Sequence, residues 1–87
     1  MMLTDREVYR WLDGRIPASV DRTSALNDLD ADEDEEAVMS LVAEAFEEGE
    51  LSLEIVETLK REYPESGYPL ESIEWYERQI IENSFEK

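Results

Sequence analysis

The sequence predicts an all-α fold, a compact bundle of four or five short helices. Apolar residues recur at helical spacing in four segments, while the alternation typical of strands never lasts more than a few residues. Residues that favour helix starts precede these segments, and glycine or proline follows several of them. We expect residues 1–87 to form a single acidic helical domain with a frayed tail over 83–87.

The first helix is predicted over residues 4–14. Thr4 and Glu7 have the spacing of a capping box, and Gly14 is a suitable end. The face expected to be buried carries Val8, Trp11 and Leu12. The segment 17–29 has apolar residues at imperfect spacing, so it is either a short helix or a packed loop.

Two further helices are predicted in the middle of the chain. Asp32 or Asp34 is expected to cap the first of them, which ends near Gly49. Its buried stripe is predicted to contain Val38, Leu41, Val42, Ala45 and Phe46. Ser52 is expected to cap the second, which ends before Pro64. The buried side of that helix is predicted to contain Leu53, Val56, Leu59 and Tyr63.

The last helix is predicted to begin with Pro69 at its first position. Its core face is expected to contain Leu70, Ile73, Tyr76, Ile80 and Ile81. Trp75 projects nearly opposite that face, among charged residues. Trp75 is therefore either an exposed binding anchor or a core residue covered by a loop such as 17–29.

The composition excludes most catalytic chemistry. The chain has 24 acidic and 8 basic side chains, a net charge of −16, and neither histidine nor cysteine. An imidazole base, a thiolate nucleophile, a disulfide and the usual zinc site of nitrogen and sulfur ligands are therefore ruled out. Because no carboxylate is distinguished from the others and the serines have no histidine partner, we expect that the protein is not an enzyme and uses no cofactor.

The tract of acidic residues from Asp28 to Glu36 invites comparison with a calcium loop. If the alternating aspartates from Asp28 onwards were the first ligands, Glu33 would replace the turn glycine and Met39 the closing glutamate. A shift of the register by two residues fits no better. The sequence therefore predicts no metal site.

Length and charge also limit the cellular context. No apolar run approaches the roughly 18 to 20 residues of a membrane span, and the N-terminus lacks the pattern of a signal peptide. We therefore expect a cytoplasmic protein without a membrane partner. A pI near 4.1 argues against direct binding to nucleic acid, so the expected partner is a basic protein.

The negative charge is concentrated in the middle of the chain. Residues 1–22 contain four acids and four arginines, whereas residues 23–59 contain 13 acids and no base. Residues 60–87 contribute a net charge of −3. The unremarkable explanation is a solvated surface that maintains solubility. The alternative is a surface formed to attract a basic partner.

The candidate partner-binding residues come from this central segment and from the last helix. Helical projection places Glu36, Glu44, Glu47 and Glu48 on the side opposite Val38 and Val42, as an acidic ridge. The turn before that helix extends the ridge. The predicted partner-binding residues are Asp30, Asp32, Asp34, Glu36, Glu44, Glu47, Glu48 and Trp75.

These features favour a small acidic protein that covers a basic surface of a partner, in particular a nuclease or other nucleic-acid-binding protein. In size, acidity and helical character the chain resembles bacterial nuclease-immunity proteins and phage-encoded DNA mimics, a resemblance of type that rests on no shared motif. It implies that the protein acts as an inhibitor by occlusion.

Two other interpretations remain open from the sequence. In the first, the acidity is an adaptation to a salt-rich cytoplasm. The excess of arginine over lysine favours this interpretation, and the excess of glutamate over aspartate does not. Alternatively, the chain is a small regulatory or adaptor domain that binds a peptide or helix in an apolar groove.

Overall fold

The computed structural model describes residues 3–85, with the side chain of Phe85 left out of the description. Five helices follow one another in this part of the chain: α1 Asp5–Asp13, α2 Thr23–Asp30, α3 Asp34–Glu47, α4 Leu53–Glu62 and α5 Leu70–Phe85. No strand occurs within residues 3–85. The predicted all-α class is confirmed, and the segment that the sequence left open contains the helix α2.

The chain divides after Leu51 into two compact units. In the first unit, α3 is the central element because it contacts both α1 and α2. In the second unit, α4 contacts α5. The acidic residues of α2 and α3 therefore belong to a three-helix unit, and Arg6 of α1 forms an ion pair with Asp34 in it.

Local capping follows the sequence at two of the helix starts. The Thr4 hydroxyl accepts a hydrogen bond from the Glu7 amide, and the Glu7 carboxylate accepts one from the Thr4 amide, which completes the predicted capping box. The Ser52 hydroxyl accepts a hydrogen bond from the Ile55 amide, as predicted.

The predicted cap of α3 is wrong. The N-cap residue is Glu33, and no side chain accepts a hydrogen bond there. Asp34 lies inside the helix and accepts a hydrogen bond from Arg6, while Asp32 lies one residue before the cap with a φ of 60°. The carboxylates of the first turn still lie at the end of the helix that favours negative charge.

The start of α2 is stabilised by a residue that the sequence did not single out. The Asp21 carboxylate accepts hydrogen bonds from the Thr23 amide and hydroxyl at 2.9 and 2.7 Å. These bonds lower the pKa of Asp21, the hydroxyl having the larger effect. One free amide at the helix start is thereby satisfied.

The buried residues of α3 confirm most of the predicted stripe and widen it. Its fully or nearly fully buried side chains are Ala37, Val38, Met39, Leu41, Val42 and Ala45. Phe46 is only half-buried. The wider buried face is explained by the position of α3, which has neighbouring helices on two sides.

Two other predicted burials, those of Trp11 on α1 and Leu53 on α4, differ from the structure. Trp11 is half-buried, and the Arg15 guanidinium lies 5.0 Å from the centre of its ring, while Tyr9 takes the buried position on α1. In α4, Leu53 is exposed and Ile55 is buried instead. Both errors concern residues at the margin of a helix face, where the position of the neighbouring helix decides burial and the 100° projection does not.

The last helix starts one residue later than predicted. Pro69 follows a cis peptide bond and precedes the first helical residue, and its carbonyl accepts a hydrogen bond from the Ile73 amide. Ile73 is fully buried, whereas Ile81 is exposed although it was expected on the core face. The helix continues to Phe85, so the first part of the predicted tail is helical, and residues 86–87 lie outside the described residues.

Arg22 holds the connection between α1 and α2. Its Nε donates to the Asp13 carboxylate at 2.8 Å, and its side chain is only 16% exposed. Its other two nitrogens donate to the carbonyl oxygens of Asp13, Ile16, Pro17 and Val20 at 2.8 to 3.2 Å. All five N–H groups of the guanidinium thus have an acceptor. A segment without regular structure is thereby fixed by one side chain.

We expect Arg22→Lys to lower the free energy of unfolding by about 2 kcal/mol, because a single ammonium group cannot reach the acceptors that the planar guanidinium satisfies. Urea unfolding monitored by circular dichroism measures the loss. Arg10→Lys on the exposed face of α1 is the matched control and should change stability by less than about 0.5 kcal/mol. Equal effects of the two substitutions would contradict a structural role for the Arg22 hydrogen bonds.

Candidate functional site

The acidic turn, which we define as residues 28–36, joins α2 to α3 and has a fixed backbone. The Glu33 amide donates to the Asp28 carbonyl at 2.8 Å, and the Asp32 amide donates to the Leu29 carbonyl at 3.0 Å. With Asp32 in the left-handed region, at a φ of 60°, this is the Schellman arrangement that ends a helix. The carboxylates of this turn are therefore carried on an ordered backbone.

Glycine is the usual residue at the left-handed position of a Schellman motif. The corresponding motif at the end of α3 has Gly49 there, with a φ of 74°, and hydrogen bonds from the Gly49 and Glu50 amides back into the helix. The acidic turn instead has Asp32, whose Cβ makes that conformation less favourable. A carboxylate thus occupies a position where glycine would make the folded protein more stable.

The sequence-predicted carboxylates of the acidic turn differ in availability. Asp30, Asp32 and Glu36 are exposed. Asp34 is half-buried, and its carboxylate accepts a hydrogen bond from the Arg6 guanidinium at 2.8 Å. The Asp34 hydrogen bond and charge raise the pKa of Arg6, and the charge of Asp32 raises it further. The charge of Asp34 is therefore neutralised by Arg6 within the protein, and the other three carboxylates face solvent.

Contacts from neighbouring helices hold the acidic turn in place. The Arg6 guanidinium on α1 also donates to the Leu29 carbonyl at 3.3 Å. The Ser40 hydroxyl on α3 donates to the Asp28 carboxylate on α2 at 2.6 Å. One arginine and one serine thus link all three helices of the first unit at this turn. The sequence did not predict either contact, because the partners lie 12 or more positions apart.

The predicted ridge on α3 is not a continuous row. Glu36 and Glu47 are exposed, but they lie about 16 Å apart along the helix axis, with Ser40 and Ala43 between them on the same face. Glu44 is half-buried on the flank of the helix. The carboxylates are therefore concentrated at the two ends of α3, and the middle of its outer face is neutral.

At the C-terminal end of α3, the charge placement opposes the helix dipole. Glu47 is the last helical residue, Glu48 is the C-cap, and the last turn has no base. Negative charge at a helix C-terminus costs about 0.3 to 1 kcal/mol per residue. Asp30, at the end of α2, has the same unfavourable position. Stability alone does not explain acids at these positions.

Trp75 lies on the second unit, where its side chain is 46% exposed. Its ring meets Tyr76 edge to face, with the ring centroids 5.2 Å apart. Glu71, Arg78 and Glu82 share its exposed stripe on α5. Of the two interpretations that the sequence left open, the structure therefore favours exposure of Trp75.

The structure also exposes an apolar residue that the sequence analysis did not select. Leu26, in the middle of α2, is more exposed than any other large apolar residue within 3–84, the range over which side chains are described. Asp30, four residues later on the same side of the helix, is also exposed, so Leu26 lies on a face of α2 that is open to solvent. In the sequence, only the imperfect apolar spacing of residues 17–29 indicated that one of these apolar residues would be exposed. The structure buries Ala25 and exposes Leu26.

Within residues 3–85, no group of three or more acidic side chains is placed to hold a metal ion. The helices of this part of the chain are too short or too polar to cross a membrane. A scan of protein-family models found no match to the chain, and searches of curated proteins and of solved structures found none. The arrangement of its own residues therefore carries the functional argument.

We expect Asp32→Gly to raise the free energy of unfolding by about 0.5 to 1 kcal/mol, because glycine removes the cost of a side chain in the left-handed region. Thermal unfolding measures the change. Asp32→Ala removes the same charge but retains that cost, so it should not match the gain. If alanine stabilised the protein as much as glycine, the cost would lie in the charge and not in the backbone.

Glu35, inside the acidic turn, is half-buried. Burial raises its pKa, and the charges of Asp5 and Glu36 raise it further. A raised carboxyl pKa means that the folded state holds the proton more tightly than the unfolded state does. The contribution of this group to stability is therefore lost as the pH rises through the raised pKa.

Glu35→Gln should accordingly stabilise the protein at neutral pH, and the gain should shrink as the pH falls through that raised pKa. Thermal melts of both proteins from about pH 7 down to about pH 4, below the ordinary glutamate pKa, measure the difference. Glu57→Gln, at an exposed position of α4, is the control for the removal of one charge. A gain that is the same at every pH, or the same in the control, would contradict the proposed burial effect.

Proposed function

We propose that this protein binds and covers a basic surface of another protein, and that the partner is a nuclease or another nucleic-acid-binding protein. The observation that carries the proposal is the acidic turn, in which Asp30, Asp32 and Glu36 are exposed on a hydrogen-bonded backbone. A fixed array of carboxylates loses little conformational freedom when a partner binds. The turn is therefore suited to recognition as well as to solubility.

The charge distribution supports an electrostatic mode of binding. Residues 23–59 contain no base, so nothing within this segment neutralises the exposed carboxylates. Complementary charge raises the rate of association by orders of magnitude at low salt. A surface that has evolved to bind DNA or RNA carries lysine and arginine for the phosphates. A carboxylate array that occupies this surface excludes the nucleic acid, which defines the protein as an inhibitor by occlusion.

The stability costs at the acidic turn and at the ends of the helices also support the proposal. Asp32 occupies a glycine position, and Asp30 and Glu47 oppose the helix dipoles. Functional surfaces commonly retain residues that reduce stability. Solubility would be served equally well by acids at positions without such a cost.

The proposal is tested by capture from a lysate of the source organism at low salt. The bait variant Asp30→Asn/Asp32→Asn/Glu36→Gln removes three exposed charges and leaves the Asp34–Arg6 ion pair intact. We expect the unmodified bait to recover a basic protein that is released as salt is raised, and the variant to recover at least about tenfold less. The captured protein is then assayed for nucleic-acid binding or cleavage with and without the bait, which should inhibit it.

The control variant Glu71→Gln/Glu74→Gln/Glu82→Gln removes the same number of charges from α5. Equal loss of capture in the control would show that the net charge and not the acidic turn is recognised. Circular dichroism at about 0.1 M and at molar salt accompanies each bait, because an acidity that serves salt adaptation requires molar salt for folding. Folding only in molar salt, or a captured protein without nucleic-acid activity, would contradict the proposal.

A further inference from the structure

Leu26 presents an apolar surface beside the acidic turn. Its side chain is 53% exposed. Its amide donates to the Arg22 carbonyl at 2.8 Å, so the residue lies within regular helix. The exposure is therefore set by the orientation of α2, which buries Ala25, about 100° around the helix axis, and leaves Leu26 in solvent.

The geometry of α2 brings Leu26 and the carboxylates together. Leu26 lies three residues before Leu29 and four before Asp30, so its side chain neighbours both of them on the helix surface. Leu29 is half-buried, and its carbonyl is held by Arg6. The outer side of α2 thus offers an apolar area that ends at the acidic turn.

We propose that Leu26, together with the exposed part of Leu29, is the apolar anchor of the acidic turn. The inferred occupant is a basic amphipathic segment of a partner protein, in which an apolar side chain covers Leu26 while flanking lysine or arginine side chains reach Asp30 and Asp32. This inference rests on the proposed function and specifies the chemistry of the partner surface. A surface that carries only phosphate-binding charges would leave Leu26 uncovered.

Charge complementarity selects this occupant over a second copy of the chain. A symmetric dimer through Leu26 would bring two acidic turns together, and residues 23–59 contain no base that could neutralise their charges. A basic partner supplies both the counter-charge and the cover. Burial of a half-exposed leucine contributes about five- to tenfold in affinity, while the charges contribute mainly to the rate of association.

The test uses two synthetic helical peptides of about 15 residues with the same positive charge, one with a leucine stripe and one with glutamine at those positions. Each is titrated into the ¹⁵N-labelled full chain at low salt, and the dissociation constants are measured by calorimetry. We expect the leucine peptide to bind about five- to tenfold more tightly and to shift the amide signals of Leu26, Leu29 and Asp30. Leu26→Gln should reduce its affinity to that of the glutamine peptide, and Leu26→Met should retain the preference.

Leu53→Gln is the matched control, because Leu53 is an exposed leucine on α4 outside the acidic turn. It should retain the preference for the leucine peptide, and melting curves verify that every variant folds. The inference is overturned by equal affinity of the two peptides, by a preference that survives Leu26→Gln, or by shifts centred on Trp75. Sedimentation that detects a dimer lost in Leu26→Gln would assign the surface to a second copy instead.

Failure of the anchor and failure of the proposed function give different results. The double substitution Asp30→Asn/Asp32→Asn should lower the affinity for both peptides by a similar factor if the acidic turn binds basic segments. If both peptides are unaffected by these substitutions, the acidic turn is not the recognised surface. If both are weakened but the leucine stripe confers no advantage, the electrostatic surface stands and the anchor does not.

Discussion

The absence of any basic residue between positions 23 and 59 is the constraint on which the first unit depends. No ion pair can form within this segment, so its carboxylates only repel one another. Burial of the apolar face of α3 against α1 and α2 has to outweigh that repulsion. A fully buried aliphatic side chain contributes about 1.5 to 3 kcal/mol, and α3 buries several. The counter-charge at the acidic turn comes from outside the segment, through Arg6 on α1.

This arrangement separates the acids into two groups with different roles. Asp28 and Asp34 accept hydrogen bonds from Ser40 and Arg6 and thereby join the three helices. Asp30, Asp32 and Glu47, which are exposed, are not part of these hydrogen bonds, and they occupy positions that reduce stability. The first group fixes the backbone that carries the second group. Rigidity and unneutralised charge therefore coexist at the acidic turn because they come from different residues.

The parts of the fold that the sequence predicted correctly depend on interactions between near neighbours. The Thr4 capping box and the Ser52 cap need only a donor and an acceptor three residues apart. Arg22 satisfies carbonyls in a segment without periodicity, and Arg6 reaches a residue 28 positions away. No local pattern encodes such contacts, which depend on how the helices pack. The exposure of Leu26 and Leu53 likewise depends on where the neighbouring helices lie, and a helical projection does not contain that information.

The uneven distribution of charge also bears on the choice between recognition and solubility. A requirement for solubility, or for a high-salt environment, acts on every exposed surface of a protein. The exposed residues of α1 nevertheless include Arg6 and Arg10, and residues 1–22 are neutral overall. The acidic turn and the ends of α3 carry the excess instead. Charge that is concentrated in one part of the chain, at a cost in stability, is typical of a binding surface, and the proposed anchor Leu26 lies on the same helix as Asp30, next to the acidic turn.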